Sequence, residues 1–187
     1  MHQASTNNDI DIIYHLLTML GTNISTELFK GCRSLTQIII PPSTTTIENS
    51  AFYGCSSLEK ITIPPTVTSI GNHLFNGCGN LVKVSILAPI KKIDSFTFFK
   101  CKSLKKVQIP FTVVEIGEYA FNECISLKKI HLPSSLKIIG DYAFRKCSSL
   151  TQLNVPSSVT NIGTFAFQRC TALKNIKVPS TLELFAK

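Results

Sequence analysis

Seven cysteines carry the most reactive side chains of the 187-residue chain, and they recur at a constant interval of 23 residues. They are Cys32, Cys55, Cys78, Cys101, Cys124, Cys147 and Cys170. In stacked repeats, neighbouring members of such a row would come within reach of a disulfide bond. The number is odd, however, and the sequence has no C-x-x-C or C-x-x-H pair typical of a metal site. We therefore interpret the row as free, buried thiols that pack as small apolar groups, and we predict no bound metal.

The other residue types used in catalysis do not form a recognised motif. The four histidines are His2, His15, His73 and His131, and none lies in a nucleophile motif. The sequence has neither G-x-S-x-G nor a P-loop, and its four aspartates form no paired-carboxylate cluster. We predict that the chain is not an enzyme and takes no cofactor.

Further columns repeat with the cysteines and predict a stacked architecture. Phe stands three residues before each Cys, Leu three after, and apolar residues six, eight and fifteen after. The segment from Leu to a following Pro alternates around buried β-branched positions, which is typical of a short strand with one buried face. Proline ends the strand because it cannot donate to a ladder. A glycine after the late Ile, as at Gly71 and Gly117, is expected at a turn of positive φ.

The Ala-Phe segment that follows predicts a turn of 3₁₀ or irregular structure, and no unit can bury its own apolar face. Stacking about seven units of 23 residues buries a continuous core. The fold class is therefore a repeat solenoid, with short parallel β-strands on one face and turns and short 3₁₀ or irregular segments on the other.

The repeat pattern C-x-S-L-x-x-I-x-I-P-x-x-V-x-x-I-G-x-x-A-F-x-x resembles the BspA-type (Treponema pallidum-type) leucine-rich repeat family. The resemblance runs from about Ile24 to Phe185. It implies a leucine-rich repeat solenoid. More weakly, it implies the surface antigen or adhesin role that is widely described for such proteins in bacteria and protozoan parasites.

The chain is expected to form a single leucine-rich-repeat domain over residues 1–187. Residues 1–31 predict an N-terminal cap or partial repeat, residues 32–169 six full repeats, and residues 170–187 an incomplete terminal repeat. Residues Ile12, Leu17 and Ile24 fall near the repeat register, but the stretch also fits a helix. That helix would have Asn8 as N-cap, apolar Ile13, Leu16, Leu17 and Leu20, and Gly21 as its stop. At the other end, Leu182 and Phe185 fall in a unit without a polar cap, which favours a homo-oligomer.

The unit from Cys78 to Lys100, called here the divergent unit, departs from the pattern. Its proline has moved to Pro89, and Asp94 stands where four other units have glycine. We expect a local irregularity there. It is either a drifted repeat or a binding hot spot, and the sequence favours the drifted repeat.

Charge is concentrated on the outward positions of the predicted strands. In L-x-x-I-x-I the x positions face out, and over seven units they hold eight Lys and one Glu, whereas the whole chain has a net charge of +8. The predicted partner-binding residues of this basic strand face are Lys60, Lys83, Lys105, Lys106, Lys128, Lys129, His131, Lys174 and Lys177. Lys60, Lys83, Lys106 and Lys129 would form one column. Either this face binds an acidic partner, or the lysines only cover and solubilise the strands.

An aromatic row stands two residues before the core Phe column: His73, Phe96, Tyr119, Tyr142 and Phe165. It fits either packing between coils or a contact stripe, and packing is favoured.

These observations predict a non-enzymatic protein–protein interaction module that binds an acidic protein surface or segment, as an intracellular adaptor or regulatory protein. The alternatives are a surface antigen or adhesin that binds host matrix or cells, and a weak, non-specific polyanion or nucleic-acid binder. Specific nucleic-acid recognition is disfavoured because the basic strand face has no Arg and no aromatic stacking platform. No apolar run is long enough to cross a membrane. Free thiols and the lack of a basic n-region before Ile10–Leu20 favour the cytoplasm or nucleus, with the cell surface as the alternative.

Overall fold

The computed structural model describes residues 6–19 and 21–179. They form one helix followed by a stack of coils that repeats every 23 residues. Helix α1 spans Thr6–Met19. The twelve strands, in chain order, are β1 (Asn23–Ile24), β2 (Thr46–Ile47), β3 (Lys60–Ile63), β4 (Ser69–Ile70), β5 (Lys83–Ile86), β6 (Lys92–Ile93), β7 (Lys106–Gln108), β8 (Glu115–Ile116), β9 (Ile138–Ile139), β10 (Gln152–Asn154), β11 (Asn161–Ile162) and β12 (Asn175–Lys177). All paired strands are parallel, as stacked coils of one hand require.

The strands form two ladders on different sides of the core. The strand-face ladder consists of β3, β5 and β7, and, further along, β10 with β12. The lateral ladder consists of β1, β2 and β4, and then β6, β8, β9 and β11. The strand-face ladder is the one that the alternating pattern predicts. The lateral ladder was not predicted, since its two-residue strands are too short to show a period.

The core is filled by columns of identical residues. Phe52, Phe75, Phe98, Phe121 and Phe144 are buried, and the rings of the whole Phe column stack with centroids 5.1–5.7 Å apart. The Ala-Phe segment of the repeat pattern is a series of hydrogen-bonded turns. The Cys amide donates to the carbonyl of the core Phe, and the Leu amide donates to the Cys carbonyl. It is therefore irregular turn structure, one of the two forms predicted.

The glycines after the late Ile serve a different purpose from the one predicted. Gly71, Gly117, Gly140 and Gly163 all lie outside the left-handed region, so the expected positive φ is wrong. Instead they permit close approach of coils, because a Cβ at Gly117 would lie 2.7 Å from the Ser95 amide nitrogen. The left-handed conformation falls on the aromatic row and on the residue before each Cys.

The N-terminal segment is a helix, but its start differs from the prediction. It begins at Thr6, so Asn8 lies inside the helix and is not its N-cap. Leu17 is buried and Ile13 packs against the core, whereas Leu16 is exposed rather than packed. Gly21 has a φ of 89°, consistent with its predicted role as the stop. Leu20, Leu182 and Phe185 lie outside the described residues.

The divergent unit does contain a local irregularity, as predicted. The lateral ladder is interrupted between β4 and β6, both of which the structure describes. In five other units the amide three residues after the strand-ending proline donates to that proline's carbonyl, as from Val67 to Pro64. In the divergent unit Leu87 replaces this proline, and its amide donates to the Ile63 carbonyl at 2.9 Å. The non-proline residue thereby extends the strand-face hydrogen bonding by one bond.

Candidate partner-binding face

The strand-face ladder presents the predicted lysines to solvent. Along β3, Lys60 and Thr62 are exposed while Ile61 and Ile63 are buried, because side chains of a strand alternate between its two faces. All nine predicted residues are exposed: Lys60, Lys83, Lys105, Lys106, Lys128, Lys129, His131, Lys174 and Lys177. Their side chains are therefore available to a partner.

Three of the lysines stack in register across neighbouring strands. Lys60 pairs with Lys83, and Lys83 with Lys106, in the parallel ladder. Neighbouring strands lie about 4.8 Å apart, which is less than the screening length of about 8 Å at physiological ionic strength. Among the described residues, no ion pair involves any of these lysines. The row is thus a strip of uncompensated positive charge.

The lateral ladder contains a pair of opposite charges. There Lys92 of β6 lies in register with Glu115 of β8, and the Lys92 Nζ is 2.9 Å from the Glu115 carboxylate. The hydrogen bond that the Lys92 ammonium donates to Glu115, together with the charges of Glu115 and Asp94, raises the pKa of Lys92. The lateral ladder thus pairs opposite charges at this one position, whereas the strand-face ladder stacks like charges.

The basic strand face is divided into two patches. The larger holds Lys60, Lys83, Lys105 and Lys106, followed by Lys128, Lys129 and His131 on the next coil. Lys128, Lys129 and His131 are exposed, but their coil forms no strand of the ladder in the described structure. Lys129 therefore follows Lys106 in the column without belonging to a hydrogen-bonded strand. The following coil presents the neutral Thr151, Gln152 and Asn154, and it separates Lys174 and Lys177 from the larger patch.

A groove at the N-terminal end of this face was not predicted from the sequence. It has a volume of about 720 Å³ and lies between α1 and the first coils, lined among others by Asp11, Ile39, Lys60, Pro64, Pro65 and Leu87. Ile39 and Leu87 are apolar yet 55% and 51% exposed. The loss of proline at position 87 is the sequence signal that could have identified it.

The cysteine row is structural, as its interpretation required. All seven thiols are free, and all except Cys32 are buried. Each buried thiol donates to the carbonyl of the core Phe 26 residues earlier, as from Cys101 to Phe75 at 3.1 Å. Burial raises the pKa of the Cys55 thiol to about 12 and that of Cys101 further. Such thiols are weak nucleophiles at neutral pH.

The aromatic row stacks between coils. Ring centroids of His73 and Phe96 lie 4.6 Å apart, those of Phe96 and Tyr119 4.8 Å, and those of Tyr119 and Tyr142 4.7 Å. Ring faces are therefore occupied by neighbouring rings, and the edges remain accessible. Partial burial lowers the pKa of the His73 imidazole. This favours the packing interpretation, while Phe165 remains 38% exposed.

The described residues contain no group of three potential metal ligands, and none of their helices is both long and apolar enough for a membrane span. What the face offers is an array of cationic donors beside a shallow apolar groove. Its chemistry is that of recognition by charge and by apolar contact.

Comparison with known protein families identifies the same repeat that the residue columns show. The model of the BspA type leucine-rich repeat region matches residues 22–113 and 91–187, in six copies. No curated protein sequence matches the chain significantly.

Solved structures show the same architecture. A leucine-rich repeat protein from Bacteroides ovatus is 40% identical, with a TM-score of 0.73 over 80% of this chain and 38% of its own. The Treponema pallidum leucine-rich repeat protein is 33% identical, with a TM-score of 0.72 over 76% of this chain and 70% of its own. The pneumococcal vaccine antigen PcpA is 25% identical, with a TM-score of 0.52 over 79% of this chain and 46% of its own. The chain thus spans well under half the length of the Bacteroides protein.

Proposed function

Because the chain belongs to the BspA-type leucine-rich repeat family, whose repeat fold is that of a protein-interaction module, we propose that it binds an acidic protein surface or segment through its basic strand face. The binding is non-enzymatic. The proposed role is that of an intracellular adaptor or regulatory protein, in which the larger patch is the main contact and Lys174 and Lys177 form a secondary one.

The observation that carries this proposal is the register of Lys60, Lys83 and Lys106. Like charges in register across strands destabilise a ladder. On the lateral ladder Lys92 lies in register with Glu115, so the fold does accommodate a pair of opposite charges on neighbouring strands. A partner that supplies carboxylates to the strand face would remove the repulsion and gain charge-assisted hydrogen bonds.

The test compares two variants of equal charge change in a pull-down from lysate with partner identification by mass spectrometry. The face variant carries Lys60→Glu, Lys83→Glu, Lys106→Glu and Lys129→Glu. The control carries Lys91→Glu, Lys102→Glu, Lys137→Glu and Arg169→Glu, all of which are exposed positions outside this face. Circular dichroism first establishes that both variants keep the wild-type fold.

We expect a defined set of acidic partners to bind the wild type and the control but not the face variant. If both variants keep the same partners, the lysines only solvate the strands and the proposal fails. If both lose them equally, net charge rather than the face is responsible. Binding that disappears steeply with salt and extends to duplex DNA would instead indicate a non-specific polyanion binder.

A second candidate, a surface antigen or adhesin, is favoured by one comparison. The pneumococcal protein with the related fold is described as a vaccine antigen. This role predicts that purified protein binds intact animal cells or immobilised matrix proteins, which can be measured by flow cytometry and by solid-phase binding. The proposed intracellular module predicts no such binding.

A further inference from the structure

We propose that the groove beside α1 accepts apolar side chains of the same acidic segment, so that the ligand is an extended peptide with an apolar residue next to a short acidic run. This inference rests on the proposed function and specifies the chemistry of its partner. The groove and the lysine column share Lys60, which lines the one and begins the other. A single segment can therefore occupy both.

The divergent unit builds the apolar part of the groove. Most units place proline at the end of the strand, but here Leu87 continues the hydrogen bonding of β5 beyond Ile86. Because Lys83 and Leu87 are four residues apart on an extended strand, their side chains leave the same face. Ile39, two coils earlier, points outward in the same way and is likewise exposed. Two large apolar side chains thus face solvent beside the lysine column.

Charge sets the orientation of the ligand. Asp11 of α1 and Lys60 of β3 both line the groove, and Lys60 also begins the lysine column. Carboxylates of the ligand are repelled by Asp11 and attracted along the column from Lys60 to Lys106. The apolar residue therefore lies over Ile39 and Leu87, and the acidic run extends across the coils away from α1.

The spacing of the column sets the length of the acidic run. Two ladder intervals of about 4.8 Å separate Lys60 from Lys106, or roughly 10 Å. An extended peptide advances about 3.3 Å per residue, so this distance corresponds to about three residues. The recognised motif is then one bulky apolar residue followed or preceded by two or more acidic residues within a stretch of about six.

The test is selection from a phage-displayed library of random peptides of about twelve residues, with the wild-type domain as bait. The most enriched peptide is then synthesised, labelled and titrated against variants by fluorescence anisotropy. Leu87→Ser and Ile39→Ser alter the groove, and Ile138→Ser is the control because Ile138 is an exposed apolar residue of the lateral ladder, outside the groove.

We expect enriched peptides that combine an apolar residue with an acidic run. Removing one buried apolar contact should weaken binding by about tenfold in each groove variant, and Ile138→Ser should stay within about twofold of the wild type. The face variant with Lys60→Glu, Lys83→Glu, Lys106→Glu and Lys129→Glu should lose binding altogether.

Three outcomes overturn the inference. Enriched peptides that are acidic but bind the groove variants as tightly as the wild type reject the groove and leave the proposed function standing. Enriched peptides without acidic residues reject both. If no peptide is enriched over a bait-free control, the inference of a peptide ligand is rejected, and the pull-down decides separately whether the face binds an acidic protein surface.

Discussion

Phe121 illustrates at the residue scale how the solenoid is held together. Its side chain is fully buried, and its ring lies between those of Phe98 and Phe144, with centroids 5.1 Å from each. Phe121→Ala would leave a cavity inside a continuous column that can relax only by shifting whole coils. We expect a loss of about 3–5 kcal/mol in the free energy of unfolding, measured by urea denaturation.

Phe111 provides the control for this prediction. It is the same residue type but 83% exposed, so Phe111→Ala should change the free energy of unfolding by less than about 0.5 kcal/mol. Equal losses in the two variants would contradict the assignment of the Phe column as the principal core.

Cys55 predicts a dependence of stability on pH. Burial raises the pKa of its thiol to about 12, whereas an unfolded cysteine ionises near pH 8.5. Below pH 8 the thiol is protonated in both states and its contribution is fully present. As pH rises above that range, only the unfolded state loses the proton, so stability falls. We expect this one thiol to account for a loss of about 1–2 kcal/mol between pH 8 and 10.

Tyrosine and lysine also titrate near pH 10, so the measurement compares the wild type with Cys55→Ala by urea denaturation at both pH values. The alanine variant is less stable at pH 8 because it lacks a packed side chain, but its stability should fall less between the two values. Parallel pH profiles of the two proteins would mean that the Cys55 thiol ionises in the folded state.

The residue columns could be predicted from the sequence because stacking repeats each environment every 23 residues. The interpretation of the cysteines as free, buried thiols is confirmed for six of the seven, since they occupy one apolar position of the repeat, whereas Cys32 is only half-buried. The expected positive φ at Gly71 and Gly117 is wrong because the need for a small residue arises between coils. Within one unit of sequence, a turn and a close approach look the same.

At the scale of the element, glycine decides how closely the lateral strands approach. A Cβ at Gly140 would lie 2.8 Å from the Glu118 amide nitrogen and 2.8 Å from the Gly117 carbonyl carbon. Since both are backbone atoms, Gly140→Ala must push β9 and β8 apart. We expect a loss of about 1–3 kcal/mol in the free energy of unfolding by urea.

Gly79→Ala is the matched control, because a Cβ there meets nothing within 4 Å and Gly79 has no positive φ. Alanine should leave stability unchanged or raise it by about 0.4–1 kcal/mol through the unfolded state. A loss at Gly79 as large as that at Gly140 would show that backbone freedom, rather than close approach, requires both glycines.

The strand-face ladder could be predicted because its segments alternate over four or more residues, whereas the lateral ladder could not. Its strands of two residues follow from stacking, once Ile47, Ile70 and their equivalents are buried one above another. The groove depends on α1 and β5 coming together. The replacement of proline by Leu87 is the one sequence signal for the groove. The repeat pattern does not show that α1 lies beside this position.

At the scale of the whole molecule, self-association stays a prediction. Phe165 of the aromatic row is exposed, and stacked rings continue readily onto another aromatic surface. We expect a concentration-dependent dimer or larger oligomer in sedimentation velocity, weakened by Phe165→Ser and unchanged by Ile138→Ser. A monomer at all concentrations would contradict it.

The distribution of charge over the whole solenoid predicts an unusual response to salt. Lys60, Lys83 and Lys106 repel one another across the strand-face ladder, while Lys92 and Glu115 attract on the lateral ladder. With a net charge of +8, repulsion dominates, so screening should stabilise the fold. We expect the free energy of unfolding by urea to rise by about 0.5–1 kcal/mol between about 20 and 500 mM sodium chloride.

Lys83→Gln removes the central charge of the lysine column and should be more stable than the wild type at low salt, with a smaller salt dependence. Lys137→Gln, which neutralises an exposed lysine outside the ladder, should keep most of the wild-type slope. If the two variants respond alike, the net charge rather than the column governs stability, and the repulsion that an acidic partner would relieve is too weak to favour binding.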